Sequence, residues 1–169
     1  ILNAFTDSPL NVYTADGEWY AFDTGLSSKN KFAKKLVIDY NGNKWFSLDG
    51  AGLFGFNDNK TISNLSDDKY KNLNSGEFTG ALPSNTVNAI AVDFDNEIWI
   101  GTDNGFAVLY NSENVFDAAA GSYNAQRIKL EYEGNVEYVL GNTNIVDIEV
   151  DGANRKWFAT ANSGLILLS

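Results

Sequence analysis

The sequence predicts an all-β chain, a β-propeller of about three four-stranded antiparallel blades plus a partial blade, forming a fragment of a larger ring. A unit of 24 residues occurs three times, as AKKLVIDYNGNKWFSLDGAGLFGF from Ala33, VNAIAVDFDNEIWIGTDNGFAVLY from Val87 and IVDIEVDGANRKWFATANSGLILL from Ile145. In each unit an Asp stands six residues before a Trp, and a Gly follows the Trp after six or seven: Asp39, Trp45, Gly52; Asp93, Trp99, Gly105; Asp151, Trp157, Gly164. The apolar residues otherwise fall in short runs, with 15 Gly and only 2 Pro, and no stretch keeps a helical period.

The elements follow in order. Leu10 to Thr14 and Glu18 to Phe22 read as the outer half of an earlier blade. Each unit then opens with a strand that is apolar one and three residues before its Asp (Leu36 and Ile38, Ile90 and Val92, Ile148 and Val150), the alternation of a strand with one face packed on a neighbour. Asp39 to Asn43, Asp93 to Glu97 and Asp151 to Arg155 are turns, because Asp, Asn and Gly tolerate left-handed dihedrals and bond their own backbone. The Trp lies on the second strand. The Gly after it permits a tight turn into a third strand, Leu53 to Phe56, Phe106 to Tyr110 and Leu165 to Leu168. Lys69 to Leu73 and Arg127 to Tyr132 suit the outer fourth strand, with Glu137 to Leu140 extending the edge of the second blade.

These spans divide the chain into a blade remnant at 1–30, blades at 31–80 and 81–141, and an incomplete blade at 142–169. Such sheets bury both faces only against neighbouring blades, which is the logic of a propeller. A helical solenoid lacks its helix-period stretches here, and a β-sandwich would not repeat an Asp-Trp-Gly pattern at fixed offsets.

Composition removes more chemistry than it adds. With no His and no Cys, Ser-His-Asp and Cys-His nucleophile systems and thiolate or imidazole zinc sites are impossible within this chain. A net charge of −10 without any basic segment opposes binding to nucleic acid. No apolar run reaches the roughly 18 residues of a membrane span. The first residue is Ile and no basic stretch precedes an apolar run, so the chain reads as an excised piece or mature fragment whose address signals lie elsewhere.

The middle unit, LPSNTVNAIAVDFDNEIWIGTDNGFAVLY, resembles the two-component-regulator propeller repeat: a Val-rich strand, Asp, a turn, Trp-Ile-Gly-Thr and a second Gly. The stretch FDAAAGSYNAQRIKLEYEGNVEYVL with VDGANRKWFATANSGLILLS is similar to PorZ-like proteins of type IX secretion systems. The resemblance is strongest over Leu82 to Ser169. Ser47-Leu48 and Ala159-Thr160 depart from the Gly-Thr of the pattern. The resemblance implies a non-catalytic binding or scaffold propeller at the cell surface or periplasm of a Bacteroidetes-type bacterium, beside an outer membrane. Its implied partners are anionic lipopolysaccharide or another glycan, or a sortase-like protein of the secretion complex.

Site candidates are few. The repeated Trp residues are expected to be blade packing with a local acceptor for each indole N–H. Trp19 lies outside the pattern beside Tyr13, Tyr20 and Phe22; outer-strand packing is expected, with ring stacking on a ligand as the alternative. DYNGN and DFDNE place oxygens at alternate positions as calcium loops do, but lack the full spacing and the bidentate Glu, so turn capping and no metal are expected. Asp147 and Glu149, two apart on an inner strand and unrepeated, form a candidate carboxylate pair for ligand binding. As a glycosidase dyad they would leave a carbohydrate-active enzyme open, against which a solvated or Lys-paired role is weighed. No cofactor is expected, and the exposed ends of a partial ring favour self-association.

Overall fold

The computed structural model describes Ser8, residues 10–22 and residues 33–169. The opening residues ILNAFTDSP thus lie, apart from Ser8, outside the described residues. Strands β1 (Leu10–Tyr13) and β2 (Trp19–Phe22) form an antiparallel hairpin. The first repeat unit gives β3 (Ala33–Ile38), β4 (Lys44–Leu48) and β5 (Gly52–Asn57), and β6 (Lys69–Leu73) completes a four-stranded antiparallel sheet in that order. The second gives a three-stranded sheet of β7 (Val87–Val92), β8 (Ile98–Thr102) and β9 (Gly105–Leu109). A 3₁₀ turn at Ser112–Asp117 and a hairpin of β10 (Lys129–Tyr132) with β11 (Asn135–Tyr138) follow. The last unit gives β12 (Ile145–Val150), β13 (Lys156–Thr160) and β14 (Leu165–Leu168).

The sheets stack, with β3 against β7 and β7 against β12. Because side chains alternate across a strand, each unit sends its Trp one way and the apolar residues flanking that Trp the other. Trp45, Leu53 and Leu73 meet Ile90, Ile98, Ile100 and Leu109 of the following sheet. Trp99, Phe106 and Val108 meet Ile145, Ile148 and Phe158 of the next. Leu10 and Phe22 of the hairpin cover Phe46, Leu48, Phe54 and Phe56. Consequently all of β8, Ile-Trp-Ile-Gly-Thr, is buried, while β14 at the outer sheet is not. Gly101 has no side chain because a Cβ there would come within 2.6 Å of Ile145.

Each Asp-to-Trp turn repeats one geometry. Oδ1 of Asp39, Asp93 and Asp151 accepts the backbone N–H groups two and four residues on, at 2.9–3.1 Å. Oδ2 accepts the indole N–H of Trp45 at 2.9 Å, Trp99 at 3.0 Å and Trp157 at 2.9 Å. The fourth residue of each turn is left-handed: Gly42 (φ 88°), Asn96 (φ 62°) and Asn154 (φ 59°). The two asparagines also join blades, since Asn96 accepts the N–H of Tyr40 at 2.8 Å and Asn154 that of Phe94 at 2.9 Å. A further tie is ionic: Lys156 Nζ lies 2.9 Å from Oδ2 of the fully buried Asp93.

Two expectations are corrected. Arg127 to Tyr132 is not the fourth strand of the middle sheet: a single bridge between Val108 and Gln126 occupies that edge, and β10 pairs with β11 instead. The departure has a local cause. The Ala125 N–H donates to the Gly80 carbonyl and the Gly80 N–H to Asn124 Oδ1, which fixes the chain just before the bridge. Glu133 (φ 50°) and Gly134 (φ 76°) then form a two-residue turn of the kind that closes a twisted hairpin. The same hairpin takes in Glu137 and Tyr138, so 137–140 does not extend the blade edge. Second, Ile90 and Ile148 are buried as expected, but Leu36 and Ile38 are exposed, at 40% and 59%. They share a face with Phe46, and the β1–β2 hairpin covers only the Phe46 to Phe56 part of it among the described residues.

Truncating Trp99 removes the indole from its contacts with Phe106 and Phe158 and leaves Asp93 Oδ2 without that donor. Trp99→Ala should lower the unfolding free energy by roughly 3–5 kcal/mol. Trp157→Ala, at a half-buried indole, should cost distinctly less. Equal urea midpoints for both variants and the parent would contradict the packing role.

Acid should also weaken the stack. Burial of Asp93 opposes its ionisation, but the bonds from Lys156, the Glu97 N–H and Trp99 outweigh it and hold the carboxyl below the usual range. A folded-state pKa below the unfolded value of about 3.9 gives stability that is complete above that value and lost as pH falls through the folded one. The melting temperature should fall on acidification below about pH 4, and Asp93→Asn should flatten that fall. An identical acid limb in the variant would count against the assignment.

Candidate functional site

The repeated residues are occupied by the framework. Gly52 (φ 88°) and Gly105 (φ 99°) adopt conformations that side chains disfavour. Their N–H groups donate to the carbonyls of Asn85 and Thr143 in the following unit. Gly164 (φ 71°) has the same conformation in the last unit. Where the pattern departs from Gly-Thr, Thr160 still closes its turn by donating its hydroxyl to the Gly164 carbonyl at 2.8 Å, as Thr102 does to Gly105. The carboxylates of Asp39 and Asp93 are directed at their own turns and indoles, so these segments cap turns as read from their composition.

Asp147 and Glu149 lie on β12 opposite Ala159 and Trp157, on one face of the sheet. They do not form an isolated dyad. Asp147 accepts Lys35 Nζ at 2.9 Å, an exposed pair linking the first and last inner strands. Glu149 borders a cavity of about 240 Å³ along the inner strands, lined also by Val37, Ile90, Val92 and Phe94. Trp19 is not packed into the outer strand: it is 61% exposed, its ring 4.9 Å from that of the exposed Tyr13. Phe22, three residues on and hence on the opposite strand face, takes the packing role and is fully buried.

Two groups of residues escape a reading of the repeat. Glu97 and Tyr110 stand near the buried Asp93; burial, then the Asp93 charge, raises Glu97, and burial, then Glu97, raises Tyr110. The second group lies where the middle unit leaves its pattern. The guanidinium of Arg127 sits 3.9 Å from the centre of the Tyr138 ring, with Lys129 Nζ 5.7 Å from the same ring. The three line a cavity of about 300 Å³ with Ala81, Ala125 and Gln126. Leu130, Asn135, Glu137, Tyr138, Val139 and Leu140 line a second cavity at the hairpin, of about 380 Å³. The Glu-Gly pair between two alternating segments was the signal for this hairpin.

A family model described as two component regulator propeller matches residues 81–104. No curated protein matches the chain in sequence. Among solved structures, PorZ of Porphyromonas gingivalis, an essential bacterial surface component of the type-IX secretion system, superposes with a TM-score of 0.83 at 28% identity over 98% of this chain. The extracellular domain of BT3049 from B. thetaiotaomicron, assigned to a hybrid two-component system, gives 0.61 at 18% identity over 96% of the chain. That of BT4673 from the same organism, assigned to a one-component system, gives 0.61 at 21% over 96%. The chain spans 23% of the length of PorZ and 19% of each of the other two. It is thus a run of β-propeller blades whose residues 81–104 match the two component regulator propeller model and which is similar along nearly its whole length to PorZ.

Proposed function

We propose that this chain is a non-catalytic binding or scaffold propeller of a bacterial cell-surface protein, a PorZ-like component of a type IX secretion system. The observation that carries the reading is the match to PorZ, whose TM-score of 0.83 exceeds the 0.61 of the regulator domains. In this role the stacked sheets present rims and turns to a partner, either anionic lipopolysaccharide or a sortase-like protein. A surface or periplasmic location accords with it, and among the described residues no helix is long and apolar enough to cross a membrane. The pairing of Asp147 with Lys35 supports a structural use of that carboxylate over a glycosidase role. The family match at 81–104 supports a second reading, a glycan-sensing segment of a hybrid regulator.

In the bacterium that encodes this protein, destabilising the chain through Trp99→Ala should block export and make secretion cargo accumulate inside the outer membrane. Normal secretion with lost induction of glycan-utilisation genes would transfer the assignment to the sensor.

The chain by itself should self-associate. Leu36 and Ile38 at one end and Leu165 and Leu167 at the other are exposed apolar residues on sheet faces. Sedimentation at micromolar concentration should show oligomers, and a monodisperse monomer that binds no hydrophobic dye would refute this.

A further inference from the structure

In a chain with 22 acidic and 12 basic residues, the described cations divide into those with a carboxylate partner and those without one, Lys60, Lys71, Arg127 and Lys129. Lys34, Lys35, Lys44, Lys69, Arg155 and Lys156 are each ion-paired. Arg127 has no ion pair or hydrogen bond among the described residues, and its Nε is buried without an acceptor. Lys129, two residues on, also lacks a carboxylate partner among them.

The guanidinium is nonetheless held in place. It lies over Tyr138, and its Nη2 comes within 3.2 Å of where a Cβ on Gly105 would be and 3.5 Å of one on Gly141. Two glycines therefore leave the space it occupies. A guanidinium that stays charged at any working pH, with its face on an aromatic ring, keeps its in-plane N–H donors for a planar or tetrahedral oxyanion. Lys129 and Gln126 line the same cleft.

We infer that the cleft between Arg127, Lys129 and Tyr138 binds an oxyanion, a carboxylate or a phosphate group of a ligand. The inference holds whether or not the protein serves secretion. The nearby hairpin also carries Glu131 and Glu137, which are exposed and paired with neither cation among the described residues.

Calorimetric titration of the protein with inorganic phosphate, with glucuronate and with neutral glucose tests it. Phosphate or glucuronate should bind and glucose should not; whichever anion binds identifies the group that the cleft takes. Arg127→Gln should weaken binding at least about tenfold, as expected for losing a charge-assisted pair, and Lys129→Gln should weaken it less. Should Arg127→Gln fail to fold, the Arg127 Nε–H resonance of the unaltered protein should shift during the same titration. Binding of neither anion, binding undiminished in a folded Arg127→Gln, or an unmoved Nε–H resonance would overturn the inference.

Discussion

The bond from the Trp indole to the Asp carboxylate, made once in each unit, is the interaction on which the rest of this structure depends. One carboxylate satisfies two sets of donors: Oδ1 closes the turn between the first two strands, and Oδ2 fixes the indole on the second. A buried polar group without a partner costs about 1–3 kcal/mol, so this arrangement lets a large apolar ring enter the core without stranding its N–H. The turn and the core are thereby set by the same residue. The offset of six between Asp and Trp is the sequence trace of that coupling.

Stacking follows from the oriented indole. Trp45 and Trp99 each face the next sheet, so blades add in one direction, and the ties between them run through the same turns: Asn96 to Tyr40, Asn154 to Phe94 and Lys156 to Asp93. The first unit has Gly42 where the others have these asparagines. The middle sheet, flanked on both sides, has the most complete burial. The outer ones leave apolar residues exposed because a blade face is built to be covered by another blade.

Against this regular frame, the stretch between the second and third units is where the chain departs from its own pattern. There a 3₁₀ turn and a hairpin stand in place of a full fourth strand. The hairpin brings Arg127, Lys129 and Tyr138 together and borders both larger cavities. Function in a repeat protein is to be sought at such departures, since residues common to every blade are already committed to folding.

The fold class and the positions of the strands were legible in the sequence because they depend on local chemistry: the period of two, the turn residues and the Asp-Trp offset act within one unit. Lys69–Leu73 and Leu165–Leu168 fall where the sequence places them. What tertiary structure decided is which neighbour each face meets. Leu36 and Ile38 have the same alternation as Ile90 and Val92, yet are exposed, because burial of a blade face is a property of the adjacent blade. The Asp147–Lys35 pair joins residues 112 apart, and Arg127 meets Tyr138 through the pairing of β10 with β11, which takes the chain away from the middle sheet. Such contacts depend on the path of the chain between units, which local propensity does not encode.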